Sequence, residues 1–119
     1  MKKPRKKLTT HFEVSLRPYP GVLYVAPDAK IYERAHKKIF NEPDPLNVSQ
    51  AGRFSGGKGP DGMWTYLIWA PRPDILAHEL SHVILHLFER LNIDPREARG
   101  EPFCYLISQL IEDVNNKMK

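Results

Sequence analysis

Between residues 63 and 91 the hydrophobic pattern changes from a strand to a helix across two prolines. The run MWTYLIWA (residues 63–70) is dense in aromatic and apolar residues and reads as the strongest strand of the chain. Pro71 and Pro73 follow where a helix can begin, because first-turn amides lack intrahelical partners anyway. Ile75, Leu76, Leu80, Val83, Ile84, Leu87, Phe88 and Leu91 then form an apolar arc at helical spacing over residues 73–91. The segment NIDP (92–95) ends it. With 119 residues there is length for one modest core, so this strand and this helix have to share it.

The rest of the chain falls around that pair. HFEVSL (11–16) alternates as a short strand, RPYPG (17–21) is a turn, and VLYV (22–25) is a second strand. Asp28 is placed to cap a helix over residues 29–40, with Ile31, Ala35, Ile39 and Phe40 along one stripe. Residues 41–50 read as a loop, 51–55 as a third strand, and 56–62 as a glycine-rich turn, making 51–70 a hairpin. A last helix runs from Glu101 or Pro102 to Asn115, with Phe103, Leu106, Ile107, Leu110 and Val114 inward. The expected order is β-β-α-β-β-α-α. The lysine in GGKGPDG does not make a phosphate loop, which needs Gly-Lys-Ser/Thr leading into a helix rather than a strand.

Charge is unevenly distributed. Of 18 Lys and Arg, five fall in the first seven residues, leaving 13 against 14 Asp and Glu in the body. Residues 1–10 therefore read as a disordered basic tail, capable of weak, sequence-blind nucleic-acid contact, and residues 11–119 as a single domain. Cys104 is the only cysteine, so no internal disulfide forms. No apolar stretch follows the charged opening and no long apolar window exists, so the expectation is a soluble cytosolic protein without a membrane partner.

The chemistry is concentrated in His78-Glu-Leu-Ser-His82, an HExxH sequence on the 73–91 helix. Residues four apart lie one turn above each other on one face, so two imidazoles can converge on a single tetrahedral cation. Glu79 can reach a water on that cation and act as general base, and zinc lowers the pKa of such a water to about 7. Zinc needs a third protein donor. Glu101, at the start of the last helix, is the leading candidate, on the expectation that this helix begins against the middle of its neighbour. Asp94, Glu97 and Cys104 are the alternatives. His86 stands about 12 Å along the helix axis from His78, too far to share its ion, and is expected to line the groove or hydrogen-bond in the core.

The runs HELSHVILHLFERLNID and GEPFCYLISQLIEDV resemble the small HExxH proteins of phages and prophages described as zinc metallopeptidases, and more widely the minimal gluzincins. The resemblance covers residues 63–116. It implies an α+β, zincin-like fold: a small twisted, mostly antiparallel sheet with the HExxH helix and a C-terminal helix packed on it. It implies Zn2+ held by His78, His82 and Glu101, Glu79 as base, and a peptide or protein substrate in the cytoplasm of a bacterial host. Tyr105 matches the family tyrosine and, with His86, is a candidate for substrate or oxyanion contact. In this reading an extended peptide adds to the 63–70 strand by main-chain hydrogen bonds, and Trp64, Tyr66 and Trp69 shape subsites or pack in the core.

Overall fold

A computed structural model describes residues 8–43 and 52–118. Residues 1–7 of the basic tail and most of the 41–50 loop lie outside the described residues. Strands β1 (Phe12–Val14), β2 (Val22–Ala26), β3 (Arg53–Lys58) and β4 (Trp64–Trp69) and helices α1 (Ala29–Phe40), α2 (Pro73–Arg90) and α3 (Glu101–Met118) follow the expected order, with a 3₁₀ turn at Glu97–Gly100. The fold is α+β. The four strands lie in the order β1-β2-β4-β3. The outer pairs are antiparallel and the central β2–β4 pair is parallel.

Period-two alternation divides the sheet between two helical layers. Leu23, Val25, Tyr66 and Ile68 face α2 and α3, where they meet Leu76, Leu80, Val83, Ile84, Leu87, Leu106 and Leu110. Ala26 and Leu67 face the opposite way, onto Ile31, Tyr32, Ala35 and Ile39 of α1. Both layers are closed by local signals. Asp28 Oδ1 accepts from the Ile31 amide at 2.8 Å and caps α1. Asn41 ends α1 in the left-handed region, φ 60°. Pro73 opens α2. Asn92, at φ 61°, ends α2, with the Asn92 and Ile93 amides donating back to the Glu89 and Phe88 carbonyls.

Two boundaries differ from the sequence reading. β3 runs to Lys58, so Gly56 and Gly57 are strand residues and the turn shrinks to residues 59–62. Gly56 is there because the Tyr66 ring lies across it: a Cβ would stand 3.1 Å from that ring. α3 extends to Met118, three residues beyond the expected end. Among the described residues no helix is long and apolar enough to cross a membrane.

The two helices under the sheet are antiparallel. Phe88 and Phe103 are in edge contact at 6.4 Å between ring centroids, and Leu76 and Val114 line one cavity at the other end. The start of α3 therefore meets the end of α2, not its middle.

Candidate metal centre

The HExxH turn sits midway along α2, on the flank that faces β3. His78 and His82 are exposed, and Glu79 between them is buried at 6% exposure. The two imidazole Nε2 atoms stand 3.1 Å apart, with the rings at 83°. Two nitrogens at tetrahedral positions around zinc would be about 3.3 Å apart, from Zn–N bonds near 2.0–2.1 Å. One carboxylate oxygen of Glu79 joins them: the three donor atoms all lie within 4.8 Å of one another. The helix alone produces this, since a four-residue separation returns the second ring to the face of the first.

β3 supplies what the helix cannot. Phe54 stacks on His82, ring centroids 5.7 Å apart and 28° from parallel, and so limits the swing of that imidazole. Gly52 lies directly over the acid. A Cβ there would stand 2.9 Å from Glu79 Oε2 and 2.5 Å from the Ile75 side chain. Only glycine lets the strand approach α2 so closely. Burial pushes the Glu79 carboxyl above its ordinary pKa, opposed by the nearby charges of His78, His82 and Arg53. Among the described residues no hydrogen-bond donor reaches the Glu79 carboxylate. A buried acid in that state is costly unless a cation or a proton-bearing ligand comes to it.

The structure places the other sequence-based candidates away from this group. Glu101 is not among the donors brought together. It is exposed at the first residue of α3, level with the end of α2 and about 12 Å along the axis from His82. α3 packs on the flank of α2 that carries Phe88, whereas the histidines lie on the flank stacked by Phe54. Asp94 is paired with Arg96 at 3.2 Å in the loop, and Glu97 is exposed in the 3₁₀ turn. Cys104 is exposed on α3 and is not among the grouped donors. Tyr105 is 73% exposed on the same helix and lines no part of the group.

His86 is where the spacing argument puts it, outside the donor group. Its Nδ1 is hydrogen-bonded to the Tyr66 hydroxyl at 3.0 Å, and its ring packs on Trp64 and Phe54. Arg90 donates to the same hydroxyl at 2.9 Å and lies over the Trp64 ring at 4.6 Å. Trp64 and Tyr66 thus belong to the side of the sheet that faces His82 and His86. Trp69 packs against the cluster under α1 and cannot shape a subsite here.

The strand beside the metal pair is also not the one expected to receive a peptide. β4 is paired on both edges, with β2 and with β3. Among the described residues β3 is an outer strand; it carries Phe54, and Gly52 directly precedes it. The contributions of Gly52 and Phe54 were legible only as small residues alternating with an aromatic one, a pattern that does not by itself name a neighbour. No protein-family model, no curated protein and no solved structure matches this chain.

Proposed function

We propose that this chain is a zinc-dependent metallopeptidase in which His78 and His82 hold the ion and Glu79 acts as general base; among the described residues no protein donor besides these three stands at the site. The observation that carries the reading is the pair of Nε2 atoms 3.1 Å apart with a buried carboxylate, without a hydrogen bond among the described residues, grouped with them within 4.8 Å. Zinc in such a site would acidify a water and polarise a carbonyl oxygen. Glu79 would take the proton from the attacking water and return it to the leaving amine, a role suited to an acid whose burial raises its pKa. Phe54 and Gly52 keep His82 and Glu79 in register. The edge of β3 would hold the peptide extended beside them. The resemblance to phage and prophage HExxH proteins supports peptide hydrolysis and cytoplasmic action in a bacterial host.

A second reading rests on the same donor set. Glu79 is close enough to serve as the third protein donor, and then no base remains; the chain would be a catalytically silent zinc-bearing interaction protein. Replacing Glu79 with Gln separates the two. The peptidase reading expects turnover of a peptide library to be abolished by Glu79→Gln and by chelator, with zinc affinity retained in the variant. Loss of zinc affinity in Glu79→Gln, or no turnover by the zinc-loaded wild type, favours the silent module.

A further inference from the structure

From the metal pair, α2 and β3 run side by side toward a second feature that the reaction does not use. Gly52 lies against Ile75 and Glu79, Phe54 against His82 and His86, and Gly56 against Tyr66. Beyond Gly56 the strand ends at Lys58, the cross-strand partner of Trp64. Directly opposed residues in an antiparallel pair project to the same face, so Lys58 lies beside Trp64 on the side of Arg90. Arg90 is half-buried and held in place by Tyr66 and Trp64, which orient its guanidinium without neutralising it. The ion pairs among the described residues are Arg72–Asp74 and Arg96–Asp94. Neither Lys58 nor Arg90 has a carboxylate partner among those residues. Asp61, in the adjoining turn, is engaged with the Met63 amide at 3.0 Å.

We infer that Lys58, Arg90 and Trp64 form an anion-recognising subsite that selects peptides with a carboxylate three to four residues from the metal pair. This rests on the peptidase reading for the identity of the peptide, but not for the recognition itself. The spacing comes from the helix. Arg90 is eight residues beyond His82, about 12 Å along the axis, and an extended chain covers about 3.3 Å per residue. A fixed, planar guanidinium stacked on an aromatic ring suits bidentate binding of a carboxylate. The peptidase reading supplies the peptide, and β3, an outer strand among the described residues, runs from the metal pair to Lys58, so that an extended chain would lie beside it. Two sources offer the same group: an internal Asp or Glu side chain, or the free C-terminus of a short substrate.

The test uses the full chain loaded with zinc and fluorescein-labelled alanine-rich dodecapeptides. One series carries a single Glu at each position in turn, with Gln controls; another ends in a free carboxylate or an amide. Anisotropy reads binding to the Glu79→Gln protein, and mass spectrometry reads cleavage by the wild type. Glu at the favoured distance should bind about tenfold tighter than Gln, the size expected for a charge-assisted pair. The preference should weaken with salt, fall in Lys58→Gln, and vanish in Lys58→Gln/Arg90→Gln. Lys58→Gln, at an exposed strand end, carries the test alone should the Arg90 variant not fold. The carboxylate–amide series tells the two sources apart. Equal binding of Glu and Gln peptides, a preference that survives in Lys58→Gln, or displacement of the Glu peptide by an equimolar thymidine oligonucleotide would overturn the subsite. A Glu preference without any cleavage upholds the subsite and removes the peptidase reading. Cleavage without preference does the reverse.

Discussion

The two flanks of α2 face different neighbours and are built from opposite materials. Toward α3 the helix presents Leu80, Ile84, Leu87 and Phe88 to Leu106, Leu110 and Phe103, an apolar contact in which Leu80, Ile84, Phe88 and Leu110 are fully buried. Toward β3 it presents His78, Glu79, His82, His86 and Arg90, with a buried carboxylate lacking any hydrogen bond and two cations without carboxylate partners among the described residues. The first flank stabilises the fold. The second gathers polar groups, which cost stability where they are buried without partners. Glu101 and Tyr105, on α3, are not brought to the His78–Glu79–His82 group.

Breaking the apolar flank should give the largest effect. Phe88→Ala is expected to lower stability by about 3–5 kcal/mol, measured by urea unfolding, because its ring is fully buried and touches both Tyr19 and Phe103. Zinc affinity of the folded fraction should be unchanged; a parallel loss of affinity would mean that the flanks are not separable. On the polar flank, Phe54→Ala should weaken zinc binding about tenfold in competition titrations, since His82 loses the ring that orients it. Unaltered affinity would show that the helix positions the imidazole unaided. The smallest expected effect has the opposite sign. Glu79→Gln should stabilise the metal-free protein by about 1 kcal/mol at neutral pH, by removing a buried charge that no hydrogen-bond donor reaches among the described residues and that the charges of His78, His82 and Arg53 only partly offset. Saturating zinc should erase that gain. Destabilisation of the metal-free variant would show that the wild-type carboxylate is already satisfied.

Much of this was legible in the amino-acid sequence, and the limits have a physical cause. The elements follow from local signals: the Asp28 cap, Pro73 at a helix start, and the shift of period between residues 70 and 73. The His78–Glu79–His82 grouping was legible because it is made within one helical turn. What failed was every inference that needed to know which element lies on which flank. The length of the 91–100 loop permits α3 to return along α2 but does not say on which side. Left-handed residues at Asn92, Ala98, Arg99 and Gly100 steer that return, and only Asn92 and Gly100 advertise such a conformation in the sequence. The edge position of β3 was hidden for a similar reason. The hairpin pattern pairs β3 with β4, and nothing local shows that β2 takes the other edge of β4. Gly52 and Phe54 acquire their roles through that non-local pairing.

The most direct test is zinc titration of the purified full chain by calorimetry, with X-ray absorption on the loaded protein. The account predicts one zinc per chain, two imidazole nitrogens at about 2.0–2.1 Å, no binding in His78→Ala/His82→Ala, and undiminished affinity in Glu101→Ala. Zinc retained by the double histidine variant, or a site that empties when Glu101 alone is removed, would contradict it.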